Sequence, residues 1–170
     1  HDHEGATCDC EYPDEAQLSS ALPMERLMRV LRCAVQERNF STQREVEDFL
    51  AGFSEDDYNQ ALARLTAGGP SEQAQQLAYE AMMDAETDDH AVALAERALA
   101  LDPGCLDARV ILAEIRCADR DGPLIEALYG IVRDAEAALN PQQFRGTDVW
   151  NELALRPYLR AKFRLGDALR

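Results

Sequence analysis

The segment Asp89–Pro103 constrains the fold most, because it combines a stripe of small side chains with a definite end. Ala91, Ala95 and Ala98 recur at spacings of four and three, which places them on one face of a helix. Side chains this small allow a neighbouring helix to approach closely. Proline cannot continue a helix, so the chain must turn at residue 103. The segment therefore predicts a helix that packs tightly against another helix and then turns.

The composition extends this prediction to the whole chain. Alanine is very common, aromatic residues make up only 6% of the sequence, and no run of alternating β-branched residues is found. Chains of this kind favour closely packed helices over sheets. At 170 residues and 46% apolar content, the length suits one ordinary domain or a short array of helix pairs. We therefore expect an all-α protein.

The charge balance restricts the classes of partner. The formal net charge is −15, which disfavours nucleic acid and an anionic membrane surface as partners. The negative charge serves solubility or attracts a basic partner. Lys162 is the only lysine among many arginines, a composition that suggests a GC-rich bacterial genome.

Cysteine usage and hydropathy point to the cytoplasm. No apolar run approaches the ~18 residues that a membrane span requires. The cysteines are odd in number, and three of them fall within or at the start of predicted helices, which favours reduced thiols over a disulfide framework. The five cysteines of the chain are Cys8, Cys10, Cys33, Cys105 and Cys117. We expect a cytoplasmic protein.

Three regions are expected along the chain. Residues 1–20 have no helical periodicity and predict an irregular N-terminal arm. Residues 21–69 predict three helices, the first with Pro23 in its first turn and ending near residue 37, the others capped by Thr42 and Ser54. The run Gly68-Gly69-Pro70 is the clearest break, so we place a boundary near residue 70.

The third region, residues 70–170, changes to a repeat-like pattern. Ser71 is expected to cap its first helix, and Gly122-Pro123 is expected to separate two later ones. The predicted helices cover residues 71–86, 89–101, 106–118, 124–139 and 157–170, with a short helix around 149–155.

Several motifs of this region carry a resemblance to a known family. Leu112-Ala113 and Leu165-Gly166 occupy equivalent positions in two predicted helices. Trp150 precedes the run LALRPYLRAKFRLGDALR. Residues 71–170 resemble tetratricopeptide repeats, and the last run resembles bacterial repeat proteins of the suppressor-of-tumorigenicity type. The resemblance implies a short array of antiparallel helix pairs behind a small N-terminal helical segment. It also implies a scaffold that binds proteins, with no catalytic residues.

The sequence departs from the repeat pattern at its end, because the chain stops after what looks like a first helix. Repeats bury their apolar faces by stacking on neighbours, so Phe163, Leu165 and Leu169 lack the cover of a pairing helix. These side chains either fold back onto the preceding helices or form a homodimer or partner contact through the C-terminal helix.

Polar and aromatic side chains on the first helices of the pairs are our candidates for binding a protein or peptide partner. They are Gln75, Tyr79, Arg109, Arg116, Arg160 and Arg164. An arginine can bind a carboxylate with two parallel hydrogen bonds, which suits an acidic peptide or a C-terminal carboxylate. Alternatively, these arginines pair with the abundant acids of the chain itself.

The N-terminal arm offers a different function. His1, His3, Cys8 and Cys10 are residue types that bind zinc, and four of them can complete a tetrahedral site. However, the two cysteines are separated by one residue instead of the usual two, and the arm lacks apolar support. The alternatives are a metal-binding protein and an unstructured arm without a metal.

Catalytic chemistry has little support. His90 is expected at a solvated helix start, and Cys105 could act as a nucleophile only if its pKa were lowered. Glu86, Asp88 and Asp89 lack the spacing of a calcium loop, so we expect a solvated turn. We therefore expect a non-enzymatic protein that needs no cofactor.

Overall fold

The computed structural model describes residues 15–139 and 152–170, and side chains within these ranges from residue 21 onward. The described residues form eight α-helices, one short 3-10 helix and no strand, which confirms the all-α prediction. The helices are α1 (Glu15–Gln36), α2 (Gln43–Ala51), α3 (Glu55–Ala67), α4 (Pro70–Met83), α5 (Asp88–Leu101), α6 (Leu106–Arg116), α7 (Asp121–Ala138) and α8 (Arg156–Ala168), with the 3-10 helix Leu153–Leu155 before α8.

The starts of α2 and α3, which depend on local capping, confirm the caps predicted from the sequence. The Thr42 side chain accepts a hydrogen bond from the Glu45 amide at the start of α2. Ser54 and Asp57 form a reciprocal capping box at the start of α3. Each cap satisfies an amide that has no partner within its helix, so these starts need no long-range contact to be specified.

Proline residues mark helix starts differently from the expectation. Pro70, not Ser71, begins α4, and it follows Gly69, whose φ of +145° is a conformation that favours glycine. Pro123 lies within the first turn of α7, which already begins at Asp121. Proline is tolerated in a first turn because its missing amide hydrogen would have no helical partner there.

The first helix corrects the expected boundary of the N-terminal arm. Helix α1 begins at Glu15, eight residues before Pro23, which is therefore an interior residue of the helix. Proline in a helix interior removes one backbone hydrogen bond and is normally disfavoured, which is why the sequence predicted a start at Pro23. Residues 15–20 are helical, whereas residues 1–14 lie outside the described part of the chain.

Three apolar clusters hold the helices together. Val30 and Ala34 of α1 pack with Ala61 of α3 in the first cluster. The alanine stripe of α5 packs against α4 and α6 in the second, and Ala95 and Ala98 are fully buried there. The third joins α6, α7 and α8. The close helix packing predicted from the alanine spacing is therefore present.

From α4 onward, each helix contacts the next one in the chain, and the alternate helices α4, α6 and α8 also contact one another in order. Helix α1 packs against α3 and α4. The row formed by α1, α4, α6 and α8 positions the site described below. None of the described helices is both long and apolar enough to cross a membrane.

Helix α8 folds back onto its predecessors. Ala161 is buried against α6 and α7, and Leu165 packs against the same cluster. Leu169, one residue past the end of the helix, remains 63% exposed. Most of the apolar side of α8 is therefore covered within the chain.

Candidate functional site

The six candidate binding residues lie on three neighbouring helices. Gln75 and Tyr79 belong to α4, Arg109 and Arg116 to α6, and Arg160 and Arg164 to α8. The structure brings Gln75, Tyr79 and Arg160 together in one buried cluster. The other three arginines lie separately at the surface of their helices, each 27% exposed or more.

Arg160 is the centre of the buried cluster, where it binds two carboxylates from two other helices. Its Nη1 donates to Glu25 Oε2 of α1 at 2.6 Å, and its Nε donates to Asp107 Oδ1 of α6 at 2.9 Å. Its Nη2 donates to the second oxygen of each carboxylate. Both carboxylate side chains are only 2% exposed. The planar guanidinium therefore connects α1, α6 and α8 by paired hydrogen bonds.

Two side chains of α4 complete the cluster. The Tyr79 hydroxyl donates to Glu25 Oε1 at 2.5 Å, and the Gln75 amide donates to Asp107 Oδ2 at 2.7 Å. Buried carboxylates need such donors because they have left water. The cluster of Glu25, Gln75, Tyr79, Asp107 and Arg160, hereafter the buried ionic cluster, thus joins the four helices of the row.

Sequence reasoning did not identify Glu25 or Asp107. A signal for each is present in the spacing: Glu25 follows Leu22 by three residues, Asp107 precedes Ile111 by four, and these neighbours are all buried. An acid at an apolar position of a helix face is a candidate for a buried, paired carboxylate. The sequence alone does not indicate the cation that pairs with it.

Within the cluster, Arg160 stays charged and Tyr79 stays neutral near pH 7. Burial by itself would lower the pKa of Arg160, but the Asp107 and Glu25 carboxylates outweigh it, and the pKa lies above its usual value. Burial first, and then the negative charge of Glu25, raise the pKa of Tyr79 well above the ordinary tyrosine value. Neither group exchanges a proton near pH 7, so the geometry suits helix connection better than acid–base catalysis.

The remaining arginines also contact acids of the chain itself. The N–O distances are 2.8 Å for Arg109–Asp134, 2.5 Å for Arg116–Glu96 and 3.0 Å for Arg164–Glu114. All four candidate arginines therefore take part in internal ion pairs, as in the second of the two interpretations left open by the sequence.

An open groove of about 360 Å³ lies above the buried ionic cluster, and we call it the central groove. It runs between α4, the start of α5, α6 and α8, with Leu22 of α1 at one side. Met82, Ala85 and Ile115 are half-buried apolar residues of its wall. Its size falls at the lower end of pockets that hold ligands, roughly 300–1,000 Å³.

The mouth of the central groove is acidic. Glu86 and Asp88 lie in and just after the turn between α4 and α5, both are exposed, and both line the groove. Arg164 also lines it but is paired with Glu114. The solvated acidic turn expected from the sequence is therefore part of the groove wall.

The candidate nucleophile Cys105 is buried, and the candidate base His90 is exposed. Burial raises the pKa of Cys105 to about 11, so its thiol stays protonated near neutral pH. His90 is exposed in the first turn of α5, where its backbone amide donates to the Thr87 hydroxyl at 3.2 Å. The expectation of a solvated helix start for His90 agrees with this position.

The candidate zinc ligands His1, His3, Cys8 and Cys10 lie outside the described residues. Among the side chains of residues 21–139 and 152–170, no group of three or more histidine, cysteine, aspartate or glutamate residues is arranged to hold a metal ion.

Comparison with known proteins gives no relative: no protein-family model, no curated protein and no solved structure matches the chain.

Proposed function

We propose that this chain is a non-enzymatic interaction module that binds a peptide segment of a partner protein in the central groove. The observation that carries the proposal is the groove itself, an open concave surface with a half-buried apolar wall formed by Met82, Ala85 and Ile115. Apolar surface left accessible in a concavity is typical of binding sites.

The proposal includes a tetratricopeptide-like arrangement, in which α4 with α5 and α6 with α7 are successive pairs and α8 is a further first helix. Contacts between the alternate helices α4, α6 and α8 support it, because first helices of stacked repeats line a common concave side. The central groove lies on the side that these three helices share.

The buried ionic cluster gives this surface a defined shape. Arg160 binds carboxylates of α1 and α6 from α8, while Tyr79 and Gln75 bind the same carboxylates from α4. A binding surface whose helices are held in place loses less entropy when a ligand binds. We assign Gln75, Tyr79 and Arg160 to shaping the groove.

We place the partner at the central groove and not at a homodimer contact through α8. Ala161 and Leu165 of α8 already pack within the chain and Phe163 is half-buried, which leaves Leu169 as the exposed large apolar residue at the end of this helix. Stable dimers bury much larger areas. A cytoplasmic location is part of the proposal and is supported by the free thiols of Cys33, Cys105 and Cys117.

The test is a peptide-display selection with random dodecapeptides on the immobilised full chain. Selected peptides are then measured by fluorescence anisotropy against the original protein and two variants. Ala85→Phe fills the groove wall without changing charge. Ala118→Phe makes the same change at an exposed position that does not line the groove. Circular dichroism verifies that both variants are folded.

We expect selected peptides to bind the original protein and Ala118→Phe equally, and to lose about tenfold or more in affinity with Ala85→Phe. Peptides that bind Ala85→Phe as well as the original protein would place the interaction elsewhere and refute the proposal. A selection that yields no binding peptide would refute it as well.

A further inference from the structure

We infer that the ligand of the central groove is a basic segment of a partner protein, which lays an arginine or lysine side chain along the apolar wall with its charge at Glu86 and Asp88. This inference rests on the function proposed above and specifies the chemistry of its ligand. It reverses the acidic ligand that the arginine-rich helices first indicated.

The first argument is the uncompensated charge of the groove. Four acids and two arginines line it. Arg164 is paired with Glu114, and Arg160 is shared between Asp107 and the further carboxylate of Glu25. Among the described residues, no ion pair involves Glu86 or Asp88. The groove therefore presents negative charge and no available positive charge to a ligand.

The second argument is where that charge lies relative to the apolar wall. Glu86 belongs to the bend after Ala85, and Asp88 is the first residue of α5, so both are at the end of the groove nearest Met82 and Ala85. Arginine and lysine consist of an apolar stem and a charged head. Their stem fits the wall while the head reaches the two carboxylates, a combination that neither an acidic nor a purely apolar side chain provides.

The third argument is the electrostatic field that the net charge of the whole chain produces. The net charge of −15 attracts a basic segment over long distances and repels an acidic one, and such attraction increases association rates. A second copy of this chain carries the same negative charge, so it is a poorer occupant of the groove than a basic partner.

The charge of the peptides selected above tests the inference separately from the proposed function. We expect the peptides that lose binding in Ala85→Phe to be enriched in arginine and lysine next to an apolar residue. Their affinity should fall about five- to tenfold in the double variant Glu86→Gln/Asp88→Asn. It should also fall as NaCl is raised from about 0.05 to about 0.5 M.

The matched control is Asp121→Asn/Glu126→Gln, which removes the same two charges from α7. Asp121 lies in the first turn of its helix, as Asp88 does, and neither control residue lines the groove. The control should bind the peptides with less than about a twofold change.

Peptides that depend on Ala85 but are neutral or acidic would overturn the inference and leave the proposed function standing. Equal losses in the two double variants would also overturn it, because the effect would then reflect net charge alone. Concentration-dependent self-association that Ala85→Phe abolishes would overturn it in favour of a second copy as the occupant.

Discussion

Replacement of Arg160 by methionine should destabilise the fold more than any other single arginine substitution in the described part of the chain. The change keeps the apolar stem but removes the cation that is bound to both Glu25 and Asp107, two carboxylates that are 2% exposed. Removal of one partner from a buried ion pair costs about 3–5 kcal/mol. Here Asp107 loses the cation bound to it, whereas Glu25 keeps a longer contact of 3.9 Å to Arg156 Nη1.

Folded domains have a total stability of about 5–15 kcal/mol, so a loss of this size is readily measured. Urea unfolding monitored by circular dichroism gives the free energy of unfolding from its midpoint and slope. The matched control is Arg116→Met, which removes an arginine bound to Glu96 at 2.5 Å with both side chains more than half exposed. An exposed pair contributes about 0–1 kcal/mol, so burial is the main difference between the two variants.

A third variant separates charge from packing. Glu25→Gln/Asp107→Asn/Arg160→Met neutralises both carboxylates, and we expect it to recover at least about half of the stability lost in Arg160→Met, because neither position 25 nor position 107 then carries a buried negative charge. An Arg160→Met loss within about 1 kcal/mol of the Arg116→Met loss would refute the reasoning. Absence of recovery in the triple variant would refute the electrostatic explanation.

The further predictions concern Tyr79, the pair Gly69 and Gly166, and Cys105. Tyr79→Phe removes the hydroxyl that donates to Glu25 and should cost about 1–2 kcal/mol at neutral pH. Burial raises the pKa of Tyr79 in the folded chain, so ionisation favours the unfolded chain and stability is lost as the pH rises above the ordinary tyrosine pKa of about 10. Urea unfolding at about pH 8 and about pH 11 should therefore show a smaller alkaline loss for Tyr79→Phe, and an equal loss in both proteins would contradict the assignment. Gly69→Ala should lower the free energy of unfolding by about 1–2 kcal/mol because φ is +145°. Gly166→Ala, where an added Cβ meets nothing within 4 Å, should raise it by about 0.5–1 kcal/mol; thermal melts that shift in the same direction for both variants would contradict this contrast. Cys105, with a pKa of about 11, should be alkylated by iodoacetamide at neutral pH only slowly until urea unfolds the chain, as measured by peptide mass spectrometry; rapid, stoichiometric labelling of the native protein would show an activated thiol instead.

The helices that the sequence predicted correctly are those specified by neighbouring residues. Thr42 and Ser54 cap α2 and α3 because a hydroxyl bonds an amide three residues away. The alanine stripe of α5 is buried because spacings of four and three determine one face of a helix. The predicted start of α1 at Pro23 was wrong, because the helix begins at Glu15 and continues through this proline despite the local preference of proline for a first turn.

The buried ionic cluster could not be predicted in the same way. Asp107 and Glu25 are 53 and 135 residues away from Arg160 along the chain, and no local pattern specifies which cation meets which acid. The sequence predicted that Arg160, Gln75 and Tyr79 share one surface. It did not reveal that they are buried in the fold, where they bind acids from two other helices.

The same pairing determines which charges a partner meets, and this decides the sign of the expected ligand. From the sequence alone, the arginines of α6 and α8 indicate an acidic ligand. In the fold, Arg109, Arg160 and Arg164 are bound to acids of the chain, so their charge is compensated before a partner arrives. Glu86 and Asp88 have no such pairing among the described residues and lie at the groove mouth. A charge that is unpaired and next to an accessible apolar wall is the one that selects a ligand, and here that charge is negative.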